Sequence, residues 1–296
     1  MNFSKLGLVT LASALFFVSC TNDDNEDVPL GSYDNGFLIL NQGGFGHNDA
    51  SVSYVSSDFA IAQNDIFSVV NPSITLGDTG QDVGFNGEYA YIVLNGSNKI
   101  QIVNRYTMKN VGSINSGLKN PRYITFANGK GYVTNWGDGG VATDDYVAVI
   151  DLSANKVSSS IPVIEGPERI VENAGKLYVA HKGGYSYGNK ISIIDAKTNN
   201  VSTTITVGDV PDNLIVKDGT LWVACAGNPS YVSSPSVETA SQIVKVNLST
   251  NTVSGTIAYS DATKHLSNLV LDGNDAYYTI DADIYKMSTT AESLPT

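Results

Sequence analysis

The chain holds three histidines, His47, His181 and His265, and none stands in a His-x-His or His-Glu-x-x-His arrangement. The spacing that would bring two imidazoles to one zinc ion is therefore missing. Asp144-Asp145 and Asp281-Ala282-Asp283 offer oxygen ligands, but without the glycine and terminal glutamate of an EF-hand loop they read as solvated turn residues. There is no Gly-x-Ser-x-Gly, no Walker-type loop and no pair of carboxylates at a fixed spacing. These residue types predict no catalytic group, no metal site and no cofactor. The side chains that stand out are binders: Phe45, Asn95, Arg122, Asn135, Trp136, Arg169, His181, Tyr185, Tyr187, Asn213 and Tyr231. Aromatics, amides and two arginines suit a bulky polar ligand, held by stacking and hydrogen bonds.

Repeated elements must position them. Pro121-Arg122-Tyr123-Ile124 followed by Gly129 and Tyr132-Val133 aligns without gaps on Pro167-Glu168-Arg169-Ile170, Gly175 and Tyr178-Val179; Pro211-Asp212-Asn213-Leu214 with Gly219 and Trp222-Val223 is a third copy. The anchoring glycines Gly87, Gly129, Gly175, Gly219 and Gly273 are 42, 46, 44 and 54 residues apart, the period of a β-propeller blade of four short strands. In the copy opening at Pro167, strands A to D are expected over 169–173, 177–181, 190–195 and 201–207. Strand C recurs most sharply, as in Val147-Ala148-Val149-Ile150-Asp151 and Ile191-Ser192-Ile193-Ile194-Asp195. Its closing Asp or Asn suits a side chain that accepts backbone N–H bonds in the next turn. Nothing shows a sustained period of 3.6, so helix should be minor.

In a four-stranded meander the B–C and D–A connections emerge on one face. The B–C connections vary in length, as in 42–50, 137–145, 182–189 and the insertion 226–241, whereas the A–B and C–D turns are tight. The eleven residues named above all fall on that variable face, where loops on a rigid scaffold usually carry binding. A formal charge of -12 and a pI near 4.5 exclude a nucleic-acid partner, which needs clustered cations.

Tyr132-Val133-Thr134-Asn135 spells the signature of the YVTN family of β-propeller repeats, which the chain resembles from Gly36 to about Met287. The resemblance implies an all-β propeller over 36–296. Its first unit is expected to begin at strand B (37–41) and its last to stop after strand C (283–287). About five and a half blades of a seven-bladed parent are thus expected, either truncated at the C-terminus by roughly 60 residues at 40–45 per blade or left as an open ring with exposed edges that tend to aggregate.

Ahead of the repeats, Lys5 and the apolar run 6–18 are too short to span a bilayer and read as a signal peptide over 1–19. Phe17-Val18-Ser19-Cys20 resembles a bacterial lipobox, which implies lipidation of Cys20. The acidic segment after it is expected to be a flexible tether over 20–35. It resembles the export signal of Bacteroidota lipoproteins, implying a lipid-anchored protein on the outer face of the outer membrane. Cys225 is then the last thiol, with no disulfide partner, and reads as a buried small hydrophobe. Taken together, the chain resembles the YncE-like surface-layer lipoproteins of Bacteroidota. The most specific role implied by such relatives is capture of a corrinoid, vitamin B12, for a TonB-dependent outer-membrane transporter. The alternative is an interaction propeller facing a protein or a glycan.

Overall fold

The computed structural model describes residues 29–229 and 237–295. Cys20, Tyr231 and the signal peptide lie outside the described residues. The described residues form six antiparallel sheets, one per sequence repeat. Blade one is β1 (Gly36–Asn41), β2 (Ser51–Ser56) and β3 (Ala62–Gln63), followed by a short helix α1 (Ile66–Val70). Blade two is β4 (Gly80–Asn86), β5 (Tyr89–Leu94), β6 (Lys99–Asn104) and β7 (Asn110–Ile114). Blade three is β8 (Pro121–Ala127), β9 (Lys130–Asn135), β10 (Tyr146–Asp151) and β11 (Lys156–Pro162). Blade four is β12 (Pro167–Asn173), β13 (Lys176–His181), β14 (Lys190–Asp195) and β15 (Asn200–Thr206). Blade five is β16 (Pro211–Lys217), β17 (Thr220–Cys225), β18 (Gln242–Asn247) and β19 (Thr252–Ala258). Blade six is β20 (Leu266–Asp272), β21 (Asp275–Ile280) and β22 (Asp283–Ser288).

Position within a blade explains composition. The two central strands are covered on both faces by neighbouring blades, so β14 buries Ile191, Ser192, Ile193 and Ile194 in succession. Its outer neighbour β15 is a run of Ser and Thr facing water, with only Ile205 buried. The β-branched residues that favour an extended backbone thus serve both positions. The Asp or Asn closing strand C does what its place in the repeat predicts: Asp195 Oδ1 accepts from the amides of Lys197 (2.8 Å) and Thr198 (2.9 Å), and Asn247 Oδ1 from that of Ser249 (2.9 Å).

The tyrosine of strand B ties blade to blade. Tyr132 is fully buried and donates to the Ala196 carbonyl of blade four at 2.9 Å, while Tyr178 reaches Asn251 Oδ1 of blade five at 3.1 Å. A buried ring with a satisfied hydroxyl contributes apolar area without a stranded polar atom. Residues 30–35, assigned to the tether from sequence, lie against the first two blades: the Tyr33 amide donates to the Tyr106 carbonyl at 2.9 Å and its ring meets Tyr54 edge-on.

The expectation of five and a half blades from a seven-bladed parent is corrected by the six sheets, the first and last three-stranded. A unit without a fourth strand looks incomplete in sequence, yet β20, β21 and β22 pair in antiparallel register through Leu266↔Ile280 and Asp275↔Ser288. The edge strands themselves stay largely exposed, β1 with Phe37 and Ile39 about half exposed and β22 with Ile284 77% exposed, and other groups anchor the two end blades. Leu294 is buried beside Tyr278 and Ile280, the Tyr259 hydroxyl donates to the Pro295 carbonyl (2.8 Å), and Lys245 Nζ donates to the Thr289 carbonyl (2.9 Å). In blade one α1 supplies Ile66 and Phe67 to the cluster of Val52 and Tyr54.

Candidate functional site

Each inner strand from β4 onward opens with a slip in register, between Gly80 and Asp82, Pro121 and Ile124, Pro167 and Ile170, Pro211 and Asn213, and Ser267 and Val270. Such a bulge leaves extra residues on one strand and re-aims their side chains. Proline opens three of these strands, at the first pair of the ladder and next to the bulge, where a missing amide donor is tolerated. In four of these blades two consecutive side chains thereby turn toward the same face: Gln81 and Asp82, Arg122 and Tyr123, Glu168 and Arg169, Asp212 and Asn213.

The first of each pair lines a cavity of about 420 Å³ at the mouth, together with Gln42, Phe45, Thr79, Asn95, Asn120, Tyr123, Trp136, Lys182 and Tyr185. Asp82, Arg169 and Asn213 line a second cavity of about 430 Å³, the channel between the inner strands, whose remaining wall is aliphatic.

The mouth is an interlocked set of charges. Arg122 grips Glu168 with Nε to Oε2 at 2.9 Å and Nη2 to Oε1 at 2.7 Å, the bidentate geometry that guanidinium and carboxylate favour. Glu168 is 1% exposed and Arg122 14%. Lys182 Nζ lies 3.3 Å from Asp212 Oδ1 and 3.6 Å from Glu168 Oε1. Two cations and two anions thus cancel, leaving an uncharged mouth on a chain of net charge -12. Arg122 also stacks over Trp136 at 4.2 Å, and Trp136 Nε1 donates to the Pro167 carbonyl at 3.1 Å while Tyr185 meets the indole edge-on at 6.0 Å. Where mouth and channel meet, Arg169 of the channel stacks on Tyr123 of the mouth at 3.9 Å. Burial raises the Asp82 carboxyl above its usual range, against the opposing bond from the Ile124 amide (2.9 Å) and the nearby Arg169. Burial, with Glu168 adding to it, likewise raises the Tyr123 hydroxyl.

Of the residues singled out from sequence, Phe45, Asn95, Arg122, Trp136 and Tyr185 converge on the mouth, and Arg169 and Asn213 on the channel. Asn135 does not reach either: it is fully buried, accepting from the Lys119 amide (3.0 Å) and donating to the Val133 carbonyl (2.8 Å). His181 is buried too, with Nε2 2.8 Å from Ser192 Oγ, and burial pulls its pKa down to about 4, so the ring is neutral. Both close strand B and hold the loop that leads into strand A of the same blade, Asn135 through the Lys119 amide and His181 against the Glu165 carbonyl at 3.3 Å. Tyr187 is exposed on the Lys182 loop without lining the cavity, and Tyr231 lies outside the described residues. Lys182 was absent from the sequence choice, yet a signal existed: it follows Tyr178 by four residues, as Trp136 follows Tyr132 and Asn95 follows Tyr91. Gln42, Thr79 and Asn120 carry no such mark. No group of three or more His, Cys, Asp or Glu able to hold a metal ion occurs among the described residues.

The chain belongs to the family described as a domain of unknown function, DUF5074, which matches residues 35–294. No curated protein matches. Among solved structures it is similar to the hydrazine synthase of Kuenenia stuttgartiensis, at 15% identity and a TM-score of 0.60 over 85% of this chain and 74% of that one. It is also similar to the Swd1 β-propeller domain of Myceliophteria thermophila, at 9% identity and a TM-score of 0.61, covering 88% and 82%. A chain of the mitotic checkpoint complex aligns at 12% identity and a TM-score of 0.58, covering 88% and 73%. At these identities the likeness concerns the fold.

Proposed function

We propose that the mouth of this propeller is a capture site for a bulky, uncharged or zwitterionic ligand, and that the protein is a binder. The observation that carries this reading is the uncharged cavity flanked by Phe45 and Tyr185, whose side chains stand 80% and 75% exposed on loops of two different blades. Large aromatics held out in water forgo hydrophobic stabilisation that a stacked ligand restores. The bidentate pair Arg122–Glu168 and the indole of Trp136 beneath them form a rigid floor, which lowers the ordering cost of binding.

A corrinoid is the ligand proposed first. It is flat, broad, rich in amides and close to neutral, and the resemblance to surface-layer lipoproteins of Bacteroidota supports it. In this reading Cys20 carries the lipid that anchors the protein outside the outer membrane, and the ligand passes to a TonB-dependent transporter. A glycan would use the same exposed rings and amides, and a protein surface the same loops.

Calorimetric titration of cyanocobalamin into the purified protein tests the assignment. Saturable binding near one-to-one, weakened about tenfold or more by Trp136→Ala or Tyr185→Ala in folded protein, is the expected result. No binding to the folded protein removes the corrinoid and directs the search to glycans. Binding that survives both substitutions removes the mouth.

A further inference from the structure

The charges of the mouth are joined by hydrogen bonds, whereas in the channel below Arg169 and Asp82 meet only as a long ion pair. Arg169 Nε is buried with no hydrogen-bond partner among the described residues, and its Nη1 stands 3.9 Å from Asp82 Oδ1, outside hydrogen-bond distance. Asp82 arrives from β4, Arg169 from β12 and Asn213 from β16, so three blades bring a carboxylate, a guanidinium and an amide to one rim of the same cavity. Below that rim the wall is aliphatic, including Ile124, Leu214 and Leu271. A buried donor without an acceptor costs about 1–3 kcal/mol, and more when charged, unless something enters to accept from it.

We propose that this channel is a second binding compartment and takes a primary carboxamide carried on an aliphatic body. The chemistry selects that group. A carboxamide oxygen accepts from Arg169 while its NH₂ donates to Asp82, so one planar group serves both residues. A carboxylate would meet Asp82 with like charge, and an ammonium would meet Arg169. The ring of Tyr123 beneath the guanidinium, 3.9 Å from its centre, fixes the plane in which the donors lie. The aliphatic wall then receives the carbon chain. The compartment rests on the capture reading only in opening toward the same mouth, and its ligand class is argued from its own residues.

The test uses three six-carbon probes, hexanamide, hexanoate and hexylammonium, titrated at pH 7 while the backbone amide shifts of Ile124 and Leu214 are followed. Hexanamide should shift both saturably, and each ion should bind about tenfold more weakly, the scale of one hydrogen bond to a charged group. Arg169→Leu should abolish hexanamide binding, whereas Trp136→Ala in the mouth should leave it unchanged. Asp82→Asn keeps the acceptor for the Ile124 amide and removes the negative charge, so it should raise the affinity for hexanoate above that for hexanamide. The proposal is overturned if native protein takes hexanoate or hexylammonium as tightly as hexanamide, if no probe shifts the channel amides, or if Asp82→Asn leaves the order of preference intact. The Asp82 variant decides the matter should the Arg169 variant not fold. Cyanocobalamin titration on the same samples separates the compartments: failure there with hexanamide binding intact removes the corrinoid alone and leaves the channel assignment standing.

Discussion

Glu168 gives the sharpest test of how the mouth is held together. It is 1% exposed, binds Arg122 through two hydrogen bonds and stands 3.6 Å from Lys182. Replacement by alanine leaves the 14% exposed guanidinium of Arg122 without its carboxylate and takes one of two anions from Lys182. Removing one partner of a buried pair costs about 3–5 kcal/mol, chiefly because the remaining charge stays desolvated. Glu168→Gln keeps the shape and one acceptor, and should cost roughly half as much, since a neutral acceptor is about half as strong toward guanidinium. Arg122→Met should cost less than Glu168→Ala, because Lys182 still faces the remaining carboxylate. The double variant Glu168→Ala with Arg122→Met removes both charges at once. Its loss should be smaller than the sum of the single losses by about 2 kcal/mol or more. Urea unfolding followed by far-ultraviolet circular dichroism, with slopes compared across variants, measures all four. A cost below about 1 kcal/mol for Glu168→Ala, or additivity within about 0.5 kcal/mol, would refute the claim that this pair is buried and mutually dependent.

Two buried titrating groups should give opposite pH slopes. Burial raises Asp145 to about 6, so stability is lost as pH rises from about 4 to about 6; burial lowers His181 to about 4, so stability is lost as pH falls from about 6.5 to about 4. Each spans about two units or a little more, up to about 3 kcal/mol, and the two offset each other in the native chain. Asp145→Asn should unmask the acid loss and His181→Gln the loss on raising pH; a difference profile that is flat between pH 4 and 6.5 for either variant counts against its burial. Gly166 adopts φ +66°, and a Cβ there would press on the backbone nitrogens of Gly183 and Gly184. Gly166→Ala should therefore destabilise by about 2–4 kcal/mol, and because the Gly166 carbonyl accepts from the Lys182 amide, ligand affinity at the mouth should fall with it; an unchanged melting curve argues against this loop packing.

The propeller was legible in the sequence because each blade is a local object. Alternation in strands B and C, the Asp or Asn after strand C and the anchoring glycines are set by contacts within about 45 residues, and repetition makes them conspicuous. Blade number was not legible in the same way. The residues that pack against the three-stranded blades carry no repeat signature, such as Leu294 beside Tyr278 and Phe67 of α1 beside Tyr54.

The site divides along the same line. Residue types and the face they occupy follow from the meander, which is why the sequence alone points to Phe45, Arg122, Trp136 and Tyr185. The sequence motif itself proved structural: Tyr132 ties two blades, Thr134 donates to the Glu168 carbonyl at 2.8 Å, and Asn135 caps its own strand. Which side chains face one another was decided by the ring. Arg122 meets Glu168 from the next blade and Asp82 faces Arg169 from two blades away, partners 46 and 87 residues apart. Such pairings depend on the angle between blades and on the bulge that opens each inner strand, and local sequence encodes the bulge without encoding what it will face.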